Sequence, residues 1–280
     1  MRVPTIPSLI LRFTVLVGVL GLWCLLYVLV LSGFSEARSQ HMIYGDLRTA
    51  IASETAPVGA VIKGGTPDGL MTIPSIGLHQ VFVEGTTSGD LELGPGHLST
   101  TPLPGQAGVS VIYGRAVAFG GPFRHITDLK PGDKITVTVQ LGTFIYVVDD
   151  VRRADDPVLD PIGSDGSRLT LVTAEGLSWR SGWVPDQAVY VDADMQGTIV
   201  PTPSGRPTVV ADDQAAMQGD SGALVPLVLW MQVLLLVAAG IAWAQTRWGN
   251  TQAWLVGAPA ALATLWLASA SAIQLLPNLM

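Results

Sequence analysis

The chain has 280 residues, of which 49% are hydrophobic and only 13% charged, with a formal net charge of −7. All 22 acidic residues and 12 of the 15 basic ones lie between Glu36 and Asp220, so that interval carries about −10, with apolar runs on either side. So acidic an interval excludes nucleic acid as a partner and opposes adhesion to an anionic lipid surface, because both need clustered Lys and Arg; the single cysteine, Cys24, excludes an internal disulfide and a thiolate metal site.

Residues 1–12 carry Arg2 and Arg12 and read as a cytoplasmic N-terminus. Residues 13–33, "FTVLVGVLGLWCLLYVLVLSG", contain no charge and are long enough for one transmembrane helix. A cleaved signal peptide, cut at Ser35–Ala37, is the competing reading, although the run exceeds the usual apolar core of about 7–15 residues. Residues 34–70 have modest helical character and read as a stalk or N-terminal helix.

From Met71 the pattern changes to short apolar runs separated by Gly and Pro. "TIPSIGL" (72–78), "QVFVEGT" (80–86), "GVSVIYG" (108–114), "DKITVTVQ" (133–140), "FIYVVDDV" (144–151), "RLTLVTA" (168–174) and "QAVYVDA" (187–193) read as strands. In "DKITVTVQ", Ile135, Val137 and Val139 alternate with Lys134, Thr136 and Thr138, which predicts a strand with one buried face. Seven to eight such strands predict a mainly β domain, closed or nearly closed into a barrel, over residues 71–195.

Residues 196–222 read as a flexible linker. Residues 223–244 and 253–276 are two further apolar runs, joined by a cytoplasmic link at 245–252 that holds Arg247, the one charge after Asp220. The expected topology is one N-terminal and two C-terminal transmembrane helices in a plasma membrane, with residues 34–222 outside, facing the cell wall. Pro226 and Pro259 are expected to start or kink their helices.

The ordered segments "IPSIGLHQVFVEGT", "GPGH", "LPGQAGVSVIYG", "GGPFRHITDLKPGDKI", "TFIYVVDDV" and "LDPIGSDGSRLTLVTA" resemble the sortase family in order and spacing, over roughly Thr72 to Ala193. They are most similar to the actinobacterial, class E-like sortases. The resemblance implies an eight-stranded sortase barrel and a cysteine transpeptidase. In that chemistry a thiolate attacks a sorting-signal carbonyl, a histidine protonates the leaving amine, and an arginine stabilises the oxyanion.

The matching positions of this chain are degenerate. Ala174 stands where the resemblance places the cysteine, and Arg115, which cannot shuttle protons near neutrality, stands where it places the histidine. Near the start of the next strand are Asp186, Gln187 and Ala188, with Arg180 in the loop before it. Arg115 is expected to be open to solvent and to face a groove carboxylate such as Glu175.

Other chemistry has weaker support. His79, His97 and His125 with Ser164, Ser178 and Ser181 have no spacing that unites them as a Ser/His site. His97 reads as a loop support, and His125 as a cap on a short helix. Asp155, Asp156, Asp160 and Asp165 share a loop but match no calcium pattern, so no metal and no cofactor is expected. The loop at 176–186, with Trp179, Arg180 and Trp183 beside Glu175, is the candidate for binding a peptide or partner, although its tryptophans also suit a cover over the core.

These readings point to a membrane-anchored, catalytically inactive sortase homologue that binds a sorting-signal peptide, a surface protein or an active sortase. Two alternatives remain: an active transpeptidase or hydrolase with another site, and a structural envelope component whose barrel is a spacer. An open groove favours binding, and a filled one favours the spacer.

Overall fold

The computed structural model describes residue 14 and residues 18–59, 62–153, 156–157, 159, 161–163, 166–175 and 187–280. Eight strands form a closed barrel: β1 (Pro67–Ile73), β2 (Leu78–Glu84), β3 (Gly96–His97), β4 (Gly108–Tyr113), β5 (Lys134–Val139), β6 (Gly142–Arg153), β7 (Ser167–Ala174) and β8 (Ala188–Gln196). Their order around the barrel is β1-β2-β3-β4-β7-β8-β6-β5. β2/β3 and β4/β7 pair in parallel and the other neighbours antiparallel.

The alternation read from β5 is realised: Ile135, Val137 and Val139 are buried, and Lys134, Thr136 and Thr138 are less so. They join Met71, Ile73, Phe82, Ile112, Leu169, Leu171 and Val191 in the barrel core. Tyr146 completes this core; its hydroxyl accepts from the Gly105 amide and bonds to Ser167, which satisfies its polar end.

The first strand lies earlier than the sequence indicates. β1 ends at Ile73, a 3-10 turn covers Pro74–Ile76, and Gly77 at φ 67° turns the chain into β2. Asp68 and Gly69 break the apolar pattern of β1 and hide it within the supposed stalk.

Of the two readings of residues 34–70, the helix holds as far as Ala52. Helix α1 runs from Gly18 to Ala52, with a π-helical stretch at Tyr27–Leu31. Its second half docks on β2: the Gln40 carboxamide bridges the Val81 main chain and the Leu93 carbonyl, and Ile43 and Leu47 pack with Val81 and Val83.

Helices α2 (Leu224–Trp248) and α3 (Asn250–Ile273) are separated by Gly249 alone, at φ 94°, and not by an eight-residue link. The polar residues at 245–252 continue the helices because their side chains do not oppose helical backbone. Pro226 lies in the first turn of α2, and Pro259 lies inside α3. α1, α2 and α3 are each long and apolar enough to cross a membrane. α1 meets α3 through a Trp23–Ser269 hydrogen bond and an edge-on Tyr27–Trp266 contact.

Residues 197–223 do not run free of the barrel. Val200 exchanges main-chain hydrogen bonds with Gly105 and Ala107, Arg206 reaches the Ser99 carbonyl and Glu84, and Gln214 binds Thr86 and Ser99. A Pro-rich composition gives a strap of this kind no sequence signature, because its bonds are to distant residues.

Candidate functional site

β4 and β7 lie side by side in parallel, with Tyr113 opposite Val172, so both chains leave the barrel at one end. The Gly114 amide donates to the Val172 carbonyl, and the Thr173 hydroxyl donates to the Gly114 carbonyl. That pinning sets Arg115 beyond β4 on the side where Ala174 ends β7, opposite Ala188 of β8. Along β7, Leu169 and Leu171 face the core, so Val172 and Ala174 face outward.

This outward face is not open. Ala174 is 1% exposed and shares an apolar cluster with Leu91, Leu98, Tyr113, Val172 and Leu279. The cover is the segment 277–280, which follows α3. The Ala116 amide donates to the Leu279 carbonyl, and the Val117 and Ala118 amides donate to Met280. The Asn278 carboxamide donates to the carbonyls of Thr86 and Ala215, and its main-chain amide donates to Gln218. Asn278 and Leu279 are fully buried. β7 is buried along nearly its whole length, Thr170 and Thr173 included, because both its faces are covered.

Arg115 also differs from expectation. It is fully buried, with Nη2 donating to the Ser88 carbonyl at 2.8 Å and its Oγ at 2.9 Å, and Nε to the Leu91 carbonyl at 3.3 Å. Its guanidinium lies 5.0 Å from the centre of the Phe119 ring. Burial pulls its pKa from 12.5 down to about 10, against the nearby negative charge of Glu92. Glu175 is not its partner but pairs with Arg153 at 3.3 Å on the surface. The cause is chain direction: Arg115 turns inward beneath the 88–91 loop, and Glu175 emerges beside β6.

Trp179, Arg180 and Trp183, with Ser178 and Ser181, lie outside the described residues, as do Ser164, Asp155, Asp160 and Asp165. His79 bonds Thr72 on the surface, and His125, at the start of a 3-10 turn, pairs with Asp128.

His97 is the exception among the histidines. It is fully buried, with Nδ1 3.1 Å from Glu84 and 3.8 Å from Asp68, and Nε2 3.0 Å from the Pro102 carbonyl. Asp68, Glu84 and His97 are the described residues that could together hold a metal ion, their ligand atoms lying within 4.8 Å of one another. Arg206 stands 3.4 Å from Glu84 and supplies positive charge to the same group. Burial, reinforced by Glu84, lifts the Asp68 carboxyl well above its usual range. Burial also pushes Glu84 upward, but hydrogen bonds from His97 and Asp68 and the charges of His97 and Arg206 outweigh it and leave Glu84 lowered.

An open cleft of about 700 Å³ lies between Gly108, Gly163 and Pro201, at the strand ends remote from Ala174. Sequence reasoning missed Asn278, Leu279 and Arg206. Their only signals were an amide in the apolar "LLPNLM" and a cation in a Pro-rich stretch.

Residues 71–193 match the sortase domain family. Sortase D of Bacillus subtilis is 29% identical over 117 residues, which are 41% of this chain and 58% of that relative. The matched segment therefore spans little more than half of the curated relative. A sortase D transpeptidase of Clostridium perfringens is 25% identical, with a TM-score of 0.45, over 58% of this chain and 99% of its own. A variant of sortase E from Streptomyces avermitilis is 28% identical, with a TM-score of 0.40, over 49% of this chain and 92% of its own.

Proposed function

Taking residues 71–193 as a sortase domain, we propose that this chain is a membrane-anchored, non-catalytic form of it that holds a peptide or partner without cutting it. The observation that carries this is the state of β7's end: Ala174 has no nucleophilic atom and lies buried beneath Leu279. The one cysteine of the sequence is Cys24, on α1. A thioester cannot form at a methyl group, and a fully buried guanidinium with pKa about 10 is a poor proton donor near neutrality.

In this reading α1, α2 and α3 anchor the protein in the plasma membrane with the barrel facing the cell wall. The face at the ends of β4 and β7, with the loop at 176–186, docks a surface protein, its sorting signal or an active sortase. Trp179, Arg180, Trp183 and Glu175 are the proposed contacts. The filled groove supports a second reading, a structural component whose barrel acts as a spacer.

Photocrosslinking in cells from positions 175, 179 and 183 tests the choice. Docking predicts capture of an envelope protein that carries a sorting signal, or of a sortase. Crosslinks to this chain alone at all three positions would leave the spacer reading.

A further inference from the structure

We propose that the membrane hairpin gates the groove: segment 274–280 is a resident occupant in cis, and movement of α3 withdraws it to admit a peptide with the same apolar anchor. This rests on the docking reading above and names its regulation.

The segment is held as a peptide ligand is held. Its main-chain oxygens at 279 and 280 accept from three successive amides, Ala116, Val117 and Ala118, and the Met280 amide donates to the Pro277 carbonyl, so residues 277–280 bind as a turn. Selectivity comes from two side chains. Leu279 fills the apolar space over Ala174, and the Asn278 amide joins two carbonyls, of Thr86 and Ala215, that belong to separate loops. The ligand class is therefore a short peptide that turns as residues 277–280 do and carries a carboxamide followed by a large aliphatic residue.

The two segments that receive it carry unusual backbone. Phe119 at φ 51° and Met217 at φ 62° are left-handed non-glycine residues. Such conformations persist where surrounding contacts hold them, as at ligand clamps. Here those contacts include the tail itself, through Ala118 beside Phe119 and Gln218 beside Met217.

The occupant is also mechanically joined to the membrane helices. Gln274, one residue past α3, donates to Glu92 from its side chain and accepts from the Asp220 amide. α3 in turn contacts α1 at Ser269 and Trp266. A shift of α3 along α1 therefore pulls on Gln274 first and Leu279 next, while the barrel stays fixed to α1 through Gln40.

The test uses the full chain in nanodiscs and a fluorescent peptide with the sequence of residues 274–280. Leu279→Asp should bind this peptide at least tenfold more tightly than the wild type, whose site is occupied. Equal binding by the two chains, or none to Leu279→Asp while its melting remains cooperative, overturns the proposal. If Leu279→Asp does not fold, a Cys24→Ser chain with Ala116→Cys and Leu279→Cys replaces it. Oxidation should then abolish peptide binding and reduction restore it, and failure of oxidation to change binding overturns the gate. The same opened chain is given sorting-signal peptides. If it binds the tail sequence and none of these, the gate stands and the docking function fails.

Discussion

Replacing Arg115 by histidine restores the side chain that the sortase resemblance places there, and it should destabilise the protein. Two short hydrogen bonds to Ser88, at 2.8 and 2.9 Å, would be lost. With a charged donor each contributes about 1.5–3 kcal/mol, so roughly 3–6 kcal/mol together. Against this, a neutral imidazole no longer bears the cost of a buried charge. The fall of the Arg115 pKa from 12.5 to about 10 sets that cost at about 3 kcal/mol. The shorter ring also leaves a cavity beside Phe119 and an unbonded Ser88 carbonyl, adding about 1–3 kcal/mol. The net expectation is a loss of about 1–6 kcal/mol, or roughly 3–18 °C in the melting temperature of a unit this size. Thermal melting of the full chain in detergent measures it, with Ser88→Ala as the partner in a double-mutant cycle. Because both bonds to the Ser88 side chain and main chain come from one nitrogen, Ser88→Ala alone should cost less than half as much. A shift below 2 °C for Arg115→His would show that the cation does not hold the 88–91 loop, and the structural role assigned to it would fail.

Three further outcomes are expected. Asp68 keeps its proton in the fold above the ordinary carboxylate value of about 4, so it contributes stability at low pH that is lost as pH rises through its raised folded value. Asp68→Asn should therefore melt near the wild type at pH 4 and above it at pH 7.5; an equal difference at both pH values would contradict the raised pKa. In a Cys24→Ser background, Ala174→Cys should fold with a cost of about 1 kcal/mol and resist maleimide in the native state, because position 174 is 1% exposed. Rapid alkylation before any unfolding would mean that the groove is open. A cysteine introduced at Gly249 should be labelled from the cytoplasmic side only, since Arg247 precedes it; labelling from outside intact cells would invert the proposed topology.

Strands with strong local patterns were legible. β5 alternates and β4 is a nearly continuous apolar run, and both, like β7, were placed within a residue or two. β1 was misplaced because Asp68, Gly69 and the Pro74 turn interrupt its pattern, and pairing with β2 and β5 supplies what its sequence lacks. The three helices announced themselves by length and apolarity, but Gly249 as their sole break did not, since polar residues at 245–252 are compatible with both loop and helix. Ala174 and Arg115 were legible only as proposed site positions, read from the neighbouring motifs. Their surroundings were not, because Leu279 lies 105 residues from Ala174 and meets it only after α2 and α3 return the chain to the barrel. Likewise, nothing local pairs Arg206 with Glu84, 122 residues away.

The central claim is that the domain matching the sortase family binds without cutting. The most direct measurement is mass spectrometry of the full chain and its Leu279→Asp variant, incubated with sorting-signal peptides and an amine acceptor. The account predicts no peptide cleavage, no amine product and no covalent adduct on either chain, because position 174 carries only a methyl group. Cleavage that survives a thiol-blocking reagent and tracks with the purified chain would contradict it and establish a nucleophile elsewhere in the protein.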